Sequence, residues 1–243
     1  MTTDELIAAA APKLAALGAA FYFDPKTVAT GKEHGLDGFR FYFLGRGGVM
    51  GDVEPAVVVA AFGYFNPALV QRMWTTGRER MAPPAAASAY LECCRQFGRE
   101  RLGRVADLDV FCGAAEAIID AVDPAALTLY AGISAAPLPD DRPGRTMQLI
   151  AVLRELRGSA HLVAVRAAGL TAEIAHYLRR PNDYTSFGWG ETMPAVTDDD
   201  RARLVKAESM TDDLVRPAFS VVDATTADTF VAVLTQVEAA CAS

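Results

Sequence analysis

One stretch decides how the fold is read: GLDGFRFYFLGRGGVMGDVEPAVVVAAFGYFN, residues 35–66. Phe39, Tyr42 and Phe43 sit at helical spacing, whereas Phe39, Phe41 and Phe43 alternate as they would along a strand. A strand here would make the protein mixed; a helix makes it all-α. The helical reading is preferred because the segments on either side carry helix signals. Gly45, Gly47, Gly48 and Gly51 predict a flexible turn that lets backbone approach another group closely. Asp52 and Glu54-Pro55 then restart a helix through Phe62.

Outward from this stretch the same signals recur. Thr3 ahead of Asp4 and Glu5 starts a helix to about Leu17, with Leu6, Ala10, Leu14 and Leu17 on one face. Asp24-Pro25 opens a short helix to His34, and Asn66-Pro67 opens one to about Gly77. Pro83-Pro84, Asp107 and Asp123-Pro124 start helices to about Leu102, Val122 and Ser134. Thr146 to about Ala168 reads as the best amphipathic helix, with Leu149, Leu153, Leu156, Ala160 and Val163 as its buried stripe. Gly169 ends it, and Thr171 caps the next helix, to Arg180. The polar-aromatic loop PNDYTSFGWGETMP, residues 181–194, leads to helices from Thr197 to Val215 and from Thr225 to Ala240. The expected fold class is all-α, with little or no sheet. AAPLPDDRPG, residues 135–144, holds three prolines and a glycine and is the clearest linker. It sets a soft boundary between helical portions 1–134 and 145–243, or is a long connection inside one domain.

Composition narrows the function classes. Of 243 residues, 51% are hydrophobic and 22% charged, enough apolar material for a sizeable core. The net charge of -7 lacks the basic footprint that a non-specific nucleic-acid binder needs, although a local basic face is compatible with it. Cys93, Cys94, Cys112 and Cys241 form no CxxC pair and read as reduced thiols of a cytoplasmic protein. The first residues lack the basic start of a signal peptide, and no stretch reaches the ~18–20 apolar residues of a membrane span.

The residues able to carry chemistry lie on the helix from Thr146. Arg154, Arg157 and His161 follow one another at i, i+3 and i+7 and form a second stripe beside the leucines. Two guanidiniums near one histidine suit a carboxylate or phosphate, and a histidine changes charge near neutral pH. The same residues also suit a salt-bridged helix face with a hydrogen-bonded core histidine. Arg46, framed by glycines, suggests a backbone nest for an anion or, alternatively, a tightly packed helix break. Neither GxxxxGK[ST] nor GxGxxG is present, and no GxSxG appears. His34, His161 and His176 are the only histidines; no spacing among them indicates zinc, and nothing specific indicates haem. No cofactor or metal is assigned.

Several of these segments together resemble a known family. They are Tyr22-Phe23 with Pro25, the turn from Leu44 to Gly51, Ala61-Phe62 with Phe65-Asn66-Pro67, Leu153 to Gly158 with His161, and Ala207 to Asp212. The combination is similar to an actinobacterial helix-turn-helix family, some members of which carry the label SalK, over about residues 20 to 215. The resemblance implies an all-α N-terminal portion, a C-terminal portion similar to a winged helix, and motif positions at Arg46, Glu155, Arg157 and His161. It implies no particular reaction. The chain departs from the family in FGWGETMPAVTDDD, residues 187–200, where three aspartates stand at the place of a DNA-binding wing.

The functional expectation is a cytoplasmic protein, a homodimer being compatible with the sequence, that binds or transforms a small anionic or carboxylate-bearing molecule. Arg46, Arg154 and Arg157 would hold the anion, His161 would be the acid/base group oriented by Glu155, and Tyr22, Tyr42 and Trp189 would wall the pocket. The alternative is a ligand-responsive helix-turn-helix transcriptional regulator, disfavoured by the charge balance.

Overall fold

The structure, a computed structural model, describes residues 1–242. Twelve α-helices account for the fold, and the described residues contain no strand. The decisive stretch is helical: α3 (Gly38–Gly47) continues into a 3-10 turn at Gly48–Met50. Asp37 caps α3 by accepting from Arg40 N–H at 2.8 Å. Before it come α1 (Thr3–Leu17) and α2 (Pro25–Glu33); after it come α4 (Pro55–Ala61), α5 (Pro67–Arg78), α6 (Pro83–Arg101), α7 (Leu108–Asp120) and α8 (Thr128–Ser134). The chain ends with α9 (Arg142–Ala167), α10 (Ala172–Arg179), α11 (Asp198–Phe219) and α12 (Ala224–Cys241).

The glycines around Arg46 do not form a nest. The Gly48 N–H donates to the Leu44 carbonyl and so continues the helix instead of facing an anion. A Cβ on Gly48 would stand 2.0 Å from the Pro83 carbonyl oxygen, and one on Gly45 would stand 2.5 Å from the Tyr90 ring. These glycines let α3 and the start of α6 approach closely, which is a packing role.

The centre of the molecule is α9. Leu149, Leu153, Leu156 and Ala160 of the expected stripe are buried and Val163 is half-buried, but burial extends beyond the stripe, to all eight residues from Thr146 to Leu153. A helix segment that is buried on every side is sheathed by others. Here the sheath is α6, α7, α8, α11 and α1. The helix also starts at Arg142, four residues before the expected Thr146. Asp141 caps it by accepting from Gly144 N–H at 2.8 Å, and Pro143 stands in the first turn, where a missing N–H costs nothing. The last three residues of the expected linker, Arg142 to Gly144, are therefore the start of the central helix, and residues 135–141 connect α8 to it. One continuous core runs from Leu6 of α1 through Phe43, Trp74, Phe111 and Leu149 to Val237 of α12.

Two other expectations are corrected. Residues 123–127 are a turn, with Asp123 accepting from Ala125 N–H at 3.0 Å and Ala126 at φ 64°, and the helix starts only at Thr128. The C-terminal portion has no strand among the described residues, so it carries no β wing. What it does carry is a smaller apolar cluster, Ala164, Val165, Ala168, Leu170, Ala175 and Ala207, where the end of α9, α10 and the start of α11 meet. Gly169 at φ 80° and the Thr171 cap make the tight turn from α9 to α10. No single helix among the described residues is long and apolar enough to cross a membrane, although α11 and α12 pass that test together as a bent pair.

Candidate functional site

The second half of α9, past its fully buried segment, forms one wall of a cavity of about 170 Å³. The facing walls come from α3 (Tyr42, Arg46), the segment after α4 (Phe62, Tyr64, Phe65), α1 (Leu14), α10 (His176, Arg179) and the loop at Phe187.

At the inner end Glu155 is 1% exposed and is the hub of a charge cluster. Arg46 grips it with a fork: Nε donates to Oε1 and NH2 to Oε2, each at 2.8 Å. Arg154 NH1 donates to Oε1 at 2.8 Å, and the Tyr22 hydroxyl donates to the same oxygen at 3.0 Å. Arg46 NH1 also donates to the Tyr42 hydroxyl at 2.8 Å, and its guanidinium lies 4.5 Å from the Phe62 ring centre. Burial opposes ionisation of Glu155, but the two arginines and these hydrogen bonds outweigh it and hold the carboxyl down at about 2. Burial likewise pushes the Tyr22 phenol far up, so it stays protonated and donates. Two guanidiniums share one carboxylate, which leaves a net charge of +1 at this end.

At the other end His161 is buried against α11. Its Nδ1 lies 2.9 Å from Thr211 Oγ1. The Thr211 hydroxyl spends its one hydrogen on the Ala207 carbonyl at 2.7 Å, so toward the imidazole it can only accept. Nδ1 therefore carries the proton and Nε2 is a bare lone pair. Burial is the largest influence on this imidazole; Glu208 works against it, Arg179 and Arg157 reinforce it, and the group is lowered to about 4. His161 is neutral at pH 7. Arg157 NH2 donates to Asp212 at 2.9 Å, Arg179 Nε lies 3.3 Å from Glu208, and the two cations and two anions cancel.

Polar atoms without partners concentrate here. Five buried side-chain polar atoms among the described residues have no hydrogen-bond partner, and four belong to residues lining this cavity: Tyr64 Oη, Arg157 Nε, His161 Nε2 and His176 Nε2. His161 Nε2 is 3.7 Å from Glu208 Oε1, beyond hydrogen-bond reach. Burial also lowers His176, against a hydrogen bond with the Asp183 backbone that raises it. Its ring stacks on Phe187, which stacks in turn on Phe65, each pair with centroids 3.9 Å apart. The Asn66 N–H donates to the Phe187 carbonyl at 2.9 Å and holds this loop over the cavity.

The structure brings Arg46, Arg154, Glu155, Arg157, His161 and Tyr42 together around one space. Glu155 does not orient His161, because every partner it has lies at the inner end; Thr211 does that. Tyr22 stands behind Glu155 as its hydrogen-bond donor and not as a cavity wall. Trp189 is outside the lining: its Nε1 donates to the Tyr64 carbonyl at 3.0 Å and its ring stacks on Tyr184. His34 is exposed at the end of α2. Among the described residues no group of three His, Cys, Asp or Glu side chains is placed to hold a metal ion. His176, Arg179, Phe187 and Thr211 were not anticipated as members of this site. His176 and Arg179 share a face of α10 at i and i+3, a pattern legible once that helix is known to face α9.

An all-α body with one charged, aromatic-walled cavity defines the general class. A family model described as a helix-turn-helix family matches residues 7–187, about three quarters of the chain, and the protein belongs to that family. The matched span includes Arg46, Glu155, Arg157 and His161 and stops before Glu208 and Thr211. No curated protein and no solved structure matches the chain.

Proposed function

We propose that this protein binds a small, singly charged, carboxylate-bearing molecule in the cavity beside α9, with neutral His161 available as an acid/base partner. The observation that carries this reading is that four of the residues lining one cavity each hold a buried polar atom without a partner. Each buried polar atom left unpaired costs about 1–3 kcal/mol, and such costs are tolerated where a ligand completes the bonds. The inner end supplies the matching electrostatics, one unneutralised positive charge beside Arg46 and Arg154. The aromatic walls supply apolar surface around these few polar groups, as small-molecule sites commonly do. Native mass spectrometry of the purified protein, followed by thermal-shift screening of small carboxylates, tests it. A co-purifying acid or a carboxylate-dependent rise in Tm, abolished by Arg154→Ala and reduced by His161→Ala, is the expected result. A folded protein with no bound acid and no shift from any carboxylate overturns it.

A ligand-responsive helix-turn-helix regulator is the second reading. Family membership and the tight turn between α9 and α10 favour it. The face of α10 is partly occupied by Tyr184, whose hydroxyl donates to Glu173 at 2.6 Å, and Asp198, Asp199 and Asp200 open the next helix. These carboxylates repel a phosphate backbone. A gel shift with the gene's own upstream DNA at low salt decides: no complex removes this reading.

A further inference from the structure

The two His161 nitrogens are not equivalent, and that fixes what the ligand must offer. Thr211 Oγ1 can only accept, so Nδ1 is the donor of the ring, and Nε2, buried on a residue that lines the cavity and 3.7 Å from Glu208 Oε1, is an acceptor without a partner. With Glu208 Oε1 already at that distance, a second carboxylate oxygen there would be repelled by both. The group that belongs there is an O–H or N–H donor. The anion belongs at the inner end, where Arg46 and Arg154 exceed Glu155 by one positive charge. Arg154 and His161 are seven residues apart on one helix, about 10 Å along its axis, so the ligand carries its charge and its donor at opposite ends. Between them the walls are Phe62, Phe65, Leu162 and Phe187. The cavity of about 170 Å³ is of the order of one that holds a benzene ring, about 150 Å³.

Resting on the reading of this cavity as a small-anion site, we infer that its ligand is a single-ring hydroxyaryl carboxylate. Its carboxylate lies at Arg46 and Arg154, and its hydroxyl donates to His161 Nε2. The Thr211 hydroxyl is a positioning group: it holds the tautomer that can accept.

Isothermal calorimetry at pH 7.5 with 3- and 4-hydroxybenzoate, benzoate and 4-methylbenzoate tests this. At least one hydroxybenzoate should bind tenfold or more tighter than benzoate and 4-methylbenzoate, because the hydroxyl satisfies an otherwise unpaired acceptor. Thr211→Val should shrink that preference and Thr211→Ser should keep it. Long-range nitrogen NMR should show the His161 proton on Nδ1 in the wild type and a mixed tautomer in Thr211→Val. Equal affinity for all four acids refutes the hydroxyl assignment and leaves the anion site standing. A preference unchanged in folded Thr211→Val refutes the tautomer argument. If none of the four binds, the inference falls; if, in addition, no carboxylate shifts Tm, the anion-site reading falls with it.

Discussion

Replacing Glu155 by glutamine removes the one negative charge that two buried guanidiniums share, and keeps the side chain's shape. In the wild type the carboxylate accepts four hydrogen bonds of 2.8–3.0 Å, from Arg46 twice, Arg154 and Tyr22. A glutamine amide accepts at its oxygen only, and its NH2 would point a donor at a guanidinium. Breaking a buried ion pair by removing one partner costs about 3–5 kcal/mol. The Arg46 and Arg154 side chains are 14% and 20% exposed, so water reaches them in part and the lower figure applies. A loss of about 3 kcal/mol is a large share of an ordinary stability of about 5–15 kcal/mol. With a urea m-value of about 2–3 kcal/mol/M, the unfolding midpoint should fall by about 1–1.5 M. Far-UV circular dichroism in urea at pH 7 measures it. The pH dependence carries a sign of its own. The carboxyl is held at about 2, against an ordinary 4.5, so its stabilisation is complete above pH 4.5 and is lost as pH falls toward 2. The gap between wild type and Glu155→Gln should therefore close across that window. A loss below about 1 kcal/mol at pH 7, or a gap undiminished at pH 3, refutes the account of this cluster.

Three further predictions concern two glycines and His161. Gly48→Ala should destabilise by about 3 kcal/mol, because the new Cβ would strike the Pro83 carbonyl oxygen at 2.0 Å. Gly113→Ala, on the exposed side of α7 with nothing within 4 Å, should stabilise by about 0.5–1 kcal/mol; urea midpoints compare the two. For His161 the native imidazole is held neutral down to about 4, against an ordinary 6.5. Its contribution is complete above pH 6.5 and is lost as pH falls from there toward 4, on the order of 2–3 kcal/mol. Unfolding free energy measured at half-unit steps should decline over that range, less steeply in His161→Phe.

The helices themselves were legible in the sequence because their boundaries are local. Asp24, Asn66 and Thr171 each cap the helix that follows, as their position ahead of Pro25, Pro67 and Ala172 suggests. Arg154, Arg157 and His161 could be placed on one stripe because helical spacing alone puts them there. Local chemistry also misled. The prolines of residues 135–144 look like a linker, yet Pro143 sits where a helix needs no N–H. Gly45 and Gly48 look like a loop, yet they are helical residues whose missing Cβ lets α6 approach.

By itself, then, the sequence determined the all-α class, most helix starts, and the row of charged groups on α9. Only the tertiary structure decided what those groups do, because their state depends on partners far along the chain. Arg46 comes from 109 residues away to neutralise Glu155, and Thr211 from 50 residues away to choose the proton position on His161. Periodicity can align side chains on one face; it cannot say which lone pair is left empty when the opposite wall closes.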